Sequence, residues 1–227
     1  LLEFNNVSSD KLRGISFSVL EGECITLLDM NNTAILDILE LMCGKKIPIQ
    51  GEIIWKDKKF SKKAGKNYIQ QGITFISEDP TKNMIFKDLT YMENLTFLID
   101  RRLNCSIIKK KIVTNIKKEY RQIVGDEIEI HNVEELDPSS LYNLIYYRIY
   151  LYKPNLVFCI QPFSNADMYL RGHIGSLIGR LKQKGISVII LAVSIADALY
   201  VADRLLTIEN GKLVREYTSN DFYLFKR

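Results

Sequence analysis

The chain has 227 residues, 47% of them hydrophobic, and a formal net charge of +4. That is ample apolar material for one large domain or a core with a smaller insertion, which excludes a disordered or fibrous chain. The charge is too mild to point to nucleic acid, and neither an apolar run near the ~18 residues of a membrane span nor a signal peptide is visible, so the chain is expected to stay in the cytoplasm.

Residues 2–7, 15–19 and 24–28 read as strands, with Glu21 and Gly22 turning between the last two. Residues 29–33 form a polar turn, and beyond it Ile35, Ile38, Leu39 and Met42 recur at helical spacing. A strand over 51–55 leads into a lysine-rich segment expected to carry a surface helix. The basic runs at 56–66 and 109–118 read as solvated faces. Residues 73–76 read as a buried strand and 77–88 as a polar loop. Thr90, with Glu93 three residues on, opens a helix by a capping box. Residues 106–124 have helical periodicity with a basic face, as a projecting helical subdomain would. Asp137, Pro138, Ser139 and Ser140 start a further helix to about Tyr152, whose tyrosines 142, 146, 147, 150 and 152 read as packing. A short apolar run at 155–160 predicts a central parallel strand. A helix over 167–184, a strand over 186–193, a helix over 195–202 and strands over 204–208 and 212–216 follow. Strands alternating with helices imply a parallel sheet with right-handed crossovers.

Cys24, Cys43, Cys105 and Cys159 lack C-x-x-C spacing and read as reduced thiols, not as a disulfide frame or zinc site. His131 and His173 have no ligand spacing, so no metal is expected. The first residue is Leu1, not Met, which fits a piece of a longer polypeptide.

A strand feeding a helix through a polar turn is the frame of a phosphate-binding loop, because free N–H groups at a helix start attract anions. Its chemistry, G-x-x-x-x-G-K-[ST], needs glycines for close backbone approach, a lysine for charge and a hydroxyl for magnesium. Those positions fall on Asp29, Asn32, Ala34, Ile35 and Leu36, with Thr33 inside the loop. Asp29 brings negative charge, Ile35 replaces an ammonium with hydrocarbon, and Leu36 offers magnesium no oxygen. The N–H groups over 31–34 remain as a weak anion site.

Taken together, the pieces resemble the nucleotide-binding domain of ATP-binding cassette (ABC) transporters. The likeness is to the second cassette of the tandem ATPases that drive bacterial sugar and nucleoside importers. GITFISEDPTKNMIFKDLTYMENLTF looks like that family's G-I-x-x-V-P-E-D-R…G-L…D-L-S-V-x-E-N-L segment, with Gly72, Glu78, Asp79, Asp88, Leu89, Glu93, Asn94 and Leu95 at matching places. ADRLLTIENGKLVRE, with Asp203, Arg204, Gly211 and Lys212, resembles its closing strands.

The resemblance implies an α/β P-loop NTPase fold of the ABC type, with a mostly parallel core sheet, antiparallel strands and a helical subdomain. It implies one domain over 1–227, with 1–87 and 153–227 as core and about 88–152 as the helical part. The family's signature L-S-G-G-x-Q-Q lands on Leu136, Asp137, Pro138, Ser139, Ser140, Leu141 and Tyr142, where Asp137 adds negative charge and Pro138 has no N–H. The Asp-Glu-Pro that ends the family's magnesium-binding strand becomes Ile160, Gln161 and Pro162. Ile160 deletes a metal ligand, and Gln161 can position water but not take its proton. Asp167 matches the aspartate of the next loop, the switch histidine falls on Val193, and no aromatic residue lies between Val7 and Lys11 for adenine to stack on.

The expected function is therefore a pseudo-ATPase cassette of the sugar-import type that does not hydrolyse ATP, with no bound cofactor although the family uses ATP and magnesium. Its expected partners are a second cassette and a membrane permease, received through Glu78, Asp79 and Glu93 at the inner face of the cell membrane, and not nucleic acid. Two alternatives stand beside it. One is a hydrolysing subunit of a sugar importer, with its lysine and metal ligand relocated, Lys45 and Lys46 being the nearest lysines. The other is a regulatory pseudo-ATPase with no transport role.

Overall fold

The computed structural model describes residues 1–103 and 110–225. Cys105 and positions 106–109 of the expected basic helix lie outside the described residues. The chain divides into two compact units, one of Leu1–Glu78 with Asn155–Arg227 and one of Asp79–Pro154.

The first unit holds two sheets. Strands β1 (Leu2–Ser8), β2 (Ile15–Val19), β4 (Gln50–Trp55) and β5 (Lys58–Lys59) form an antiparallel sheet in the order β2-β1-β4-β5. The second sheet takes the order β10-β9-β3-β8-β7-β6, from β3 (Cys24–Leu28), β6 (Ile73–Ile76), β7 (Leu156–Ile160), β8 (Ser187–Ala192), β9 (Arg204–Glu209) and β10 (Lys212–Thr218). All of its pairs are parallel except β9 with β10. Periodicity explains which strand goes where. β2 reads ISFSV and buries alternate residues, as a strand with one wet face does, whereas β3 and β8 are buried throughout, as interior parallel strands are.

Helices α1 (Thr33–Met42), α2 (Lys62–Lys66), α8 (Met168–Gln183) and α9 (Ile195–Ala198), with a 3₁₀ segment at Ser219–Phe225, complete this unit. Helix α1 buries Ala34, Ile35, Ile38, Leu41 and Met42, and these join Leu2, Phe4, Ile25, Leu27, Trp55, Phe158 and Ile189 in one core. The α9 helix is one turn, shorter than the 195–202 expected. Beyond it the half-exposed ring of Tyr200 lies on Phe163, ring centroids 5.2 Å apart, over the bare backbone of Gly175.

The second unit contains α3 (Pro80–Asn83), α4 (Tyr91–Thr96), α5 (Ile99–Leu103), α6 (Lys110–Val124) and α7 (Pro138–Tyr152), with 3₁₀ turns at Gly125–Glu129 and Val133–Glu135. The turn of helix α3 interrupts the expected 77–88 loop. Pro80 starts it, since the fixed φ of proline suits a first helical position. Helix α7 is central, and the five tyrosines on it are buried as packing. Arg148 is buried among them, donating to the Met84 carbonyl at 2.7 Å and lying 5.4 Å over the Phe86 ring. Burial pushes its guanidinium down to about 10, which still leaves it charged at neutral pH. Among the described residues, no helix is long and apolar enough to cross a membrane.

Candidate functional site

Parallel pairing of β3, β8 and β7 sets the carboxyl ends of three distant segments side by side, with Leu28 opposite Ala192 and Ile160 opposite Leu191. Ligands of open parallel sheets bind outside this edge. Two loop hydrogen bonds extend it, Asp29 N–H to the Ala192 carbonyl at 3.0 Å and Gln161 N–H to the Leu191 carbonyl at 2.8 Å. The turn after β3, Gln161 and Val193 are thus gathered at one edge from three parts of the sequence. Ile160 and Val193 pack against the core, and Gln161 has φ +43°, a left-handed conformation that costs a non-glycine residue energy.

The turn after β3 is organised by Asp29, which is 1% exposed. Its Oδ1 accepts from the Asn31 N–H at 3.1 Å, its Oδ2 from the Ala34 N–H at 2.7 Å, and its carbonyl from the Asn32 N–H at 3.0 Å. Asn32 takes φ +55° at the entry to α1 and makes no side-chain cap, so the aspartate caps the helix from five residues upstream. Two N–H groups that sequence reasoning left open to an anion are therefore occupied by the chain's own carboxylate. Ile35 is fully buried in the core, whereas Thr33 and Leu36 face outward.

A second buried carboxylate lies on the same helix. Asp37, 2% exposed, accepts from the Ser9 hydroxyl, from the Lys11 N–H at 2.9 Å and from the Lys46 ammonium at 2.5 Å. Lys46 also meets Asp10 at 2.9 Å and Glu40 at 2.8 Å. Burial alone would raise the Asp37 carboxyl, but the hydrogen bonds from Lys46, Ser9 and Lys11 outweigh it and hold it below the usual range. The same carboxylates raise the Lys46 ammonium. Beside this network opens a cleft of about 410 Å³ lined by Lys11, Thr33, Leu36, Asp37, Glu40 and Lys45, among others. Lys45 and Lys46 follow the far end of α1, so the structure does not bring them to the turn at its start.

The remaining predicted residues lie elsewhere. In the second unit, Leu136 is buried, and Asp137 caps α7 by accepting from the N–H groups of Ser139 at 2.8 Å and Ser140 at 3.2 Å. The Ser140 hydroxyl, helped by those N–H groups, holds the Asp137 carboxyl below its ordinary value. Pro138 takes the first helical position, where its missing N–H leaves nothing unpaired. Glu93 closes the capping box with Thr90, whose N–H and hydroxyl lower its carboxyl. Glu78 is exposed at the end of the first unit, and Asp79 precedes α3. Among the described residues, no three His, Cys, Asp or Glu side chains gather as a metal site requires.

Sequence reasoning missed the part Asp29 and Asp37 play within the fold. The signal for Asp29 was an aspartate two residues before an asparagine in a turn, a pattern that folds back on its own backbone. For Asp37 it was a charge set between Ile35 and Ile38 on an otherwise apolar stripe.

No family model matches the chain. Among solved structures it is similar to cbiO1 from Clostridium perfringens, part of the ABC transporter complex cbiONQ, with 15% identity, 99% of this chain and 91% of that one covered, and a TM-score of 0.83. It is also similar to the ADP conformation of MJ1267, an ATP-binding cassette of an ABC transporter, at 18% identity, 98% and 92% coverage and a TM-score of 0.79. In sequence it is 25% identical to the ribose import ATP-binding protein RbsA of Clostridium tetani, over 97% of this chain and 45% of that protein. The chain has the fold of the ABC transporter ATP-binding cassette and is related to that family in sequence. A further relative of the cassette is the spermidine/putrescine import ATP-binding protein PotA of Mycoplasma mycoides subsp. mycoides, 27% identical over 98% of this chain and 63% of that protein. The chain spans 45% of the length of the first of these two relatives and 63% of the second.

Proposed function

We propose that this cassette does not hydrolyse ATP and serves as a structural or regulatory partner of a membrane permease, a second cassette or both, in an importer of the sugar type. The observation that carries this reading is the Asp29 carboxylate seated on the Asn31 and Ala34 N–H groups. A triphosphate placed there would meet a buried negative charge and find those donors already used. The residues of the turn do not fit ATP with magnesium on chemical grounds either, since Ile35 is locked in the core and Leu36 carries no oxygen ligand. Gln161 and Ile160 at the end of β7, across β8 from β3, supply neither a proton acceptor nor a metal ligand. Catalytic groups that act as a unit do not lose their effects additively, and here the lysine, the metal ligand and the proton acceptor are all replaced, which leaves none of the unit in place to drive hydrolysis.

The partner reading draws on similar proteins, which are named as import ATP-binding proteins or as part of a transporter complex. On this reading Glu78, Asp79 and Glu93 meet the membrane subunit, which holds the cassette at the inner face of the cell membrane. The test is titration with ATP and magnesium followed by phosphate release. The expected result is no saturable binding and no release above buffer. Tight binding, with turnover that Gln161→Ala abolishes, would rule the reading out in favour of a hydrolysing subunit. Co-purification with a permease separates the transport role from a purely regulatory one.

A further inference from the structure

The chain has two strongly basic stretches, around 56–66 and 109–118, and the first lies wholly within the described residues. Residues 52–66 hold six lysines against two carboxylates, a net of +4. Lys56, Lys58, Lys59, Lys62, Lys63 and Lys66 are all exposed. Of these, Lys59 pairs weakly with Glu52 at 3.5 Å and Lys56 bonds the Asn155 carboxamide at 2.6 Å. Lys58, Lys62, Lys63 and Lys66 make no ion pair among the described residues. Lys56, Lys58 and Lys59 also line a cleft of about 380 Å³ over Trp55 and Phe60.

A second, independent feature adjoins the lysines. The loop after α1 carries Ile47 and Ile49, 60% and 74% exposed, on either side of Pro48. Its start is pressed onto α2 so closely that a Cβ on Gly44 would run into the Lys62 carbonyl and the Lys66 amide. Its end is tied by the Ile49 N–H to the Ser8 carbonyl at 2.8 Å. The two isoleucines are exposed in a loop whose start abuts the lysine-bearing helix α2, and the protein core does not use them.

We propose that this face, the lysines of 56–66 with Ile47 and Ile49, docks on an anionic lipid bilayer. Clustered lysines are drawn to the negative surface potential of such a bilayer, and aliphatic tips enter the boundary between headgroups and acyl chains. Charge complementarity alone would also suit nucleic acid, but two features argue against it. Residues 45–66 contain no arginine for paired phosphate contacts, and the aromatics of the patch, Trp55 and Phe60, are buried and so give bases no stacking surface. The solvated face expected from sequence becomes a binding face because the structure packs the start of the loop that carries the exposed isoleucines onto α2. Lipid contact of this kind needs no permease and stands apart from the reading of the site at α1.

The experiment is co-sedimentation of the whole chain with vesicles of phosphatidylcholine alone and of phosphatidylcholine with phosphatidylglycerol. Binding is expected only to the anionic vesicles and is expected to fall away in high salt. Each lysine lost should weaken partitioning by roughly fivefold, so Lys62→Gln, Lys63→Gln and Lys66→Gln together should weaken it by about a hundredfold. Ile47→Ser with Ile49→Ser should weaken binding by at least about tenfold, because it removes the inserted apolar surface. Unchanged circular dichroism shows that each variant is folded. Absence of binding, equal binding to neutral vesicles, or isoleucine variants that bind like the parent would each overturn the proposal. Preferential capture of a single-stranded RNA homopolymer would overturn it in favour of nucleic acid.

Discussion

The starts of α1 and α7 solve one physical problem in two ways. Each presents unpaired N–H groups, each stands where the family resemblance puts a phosphate-handling motif, and each is closed by an aspartate. Asp137 does this as an ordinary N-cap, exposed to water and immediately before its helix. Asp29 does it from within a turn, buried, with its backbone tied to β8. If Asp137 is removed, water can replace it; if Asp29 is removed, the Ala34 N–H is left in a site water reaches poorly. The same carboxylate chemistry is thus a modest local aid in one unit and a structural requirement in the other.

The largest expected effect breaks that contrast directly. Asp29→Ala should lower stability in urea unfolding by about 3 kcal/mol, because the buried Ala34 N–H and the part-buried Asn31 N–H lose a charged partner at once. A loss no greater than that of Asp137→Ala would show that the two caps are equivalent.

Asp37→Asn comes next, at about 2 kcal/mol near neutral pH, since it takes the charge from a buried acceptor of three donors. Its pH dependence sharpens the result. The Asp37 carboxyl is held below its ordinary value in the folded chain. Its contribution is therefore fully present above the unfolded value of about 3.9 and is lost as pH falls through the lower folded value. The gap between parent and Asp37→Asn should stay constant from neutral pH down to about 4 and close below it. A gap that widened on acidification would refute the network.

Asp137→Ala should cost about 1 kcal/mol, the usual worth of an N-cap, and Asp137→Asn should recover most of it. Thermal unfolding of the three proteins side by side measures this, the smallest effect.

Much of the fold is legible in the sequence. The strands at 15–19, 24–28 and 73–76 coincide with those observed because each is a short apolar run between turn residues, and periodicity is a local property. The capping boxes and aspartate caps at Thr90 and Asp137 were legible for the same reason, since cap and helix lie within four residues. The short α9 was not legible, because the packing of Tyr200 on Phe163 and Gly175 spans distant positions.

The sequence by itself determined which chemistry is available at the end of β3: aspartate, asparagine, isoleucine and leucine where lysine, glycine and hydroxyl would serve a phosphate. Only the tertiary structure decided what that chemistry does. The pairing of β3 with β8 fixes the turn so that Asp29 points back onto the start of α1, and the loop carrying Ser9 and Lys11 closes over Asp37. Both outcomes depend on contacts between residues far apart in the chain, whose free energy exists only once the sheet has formed.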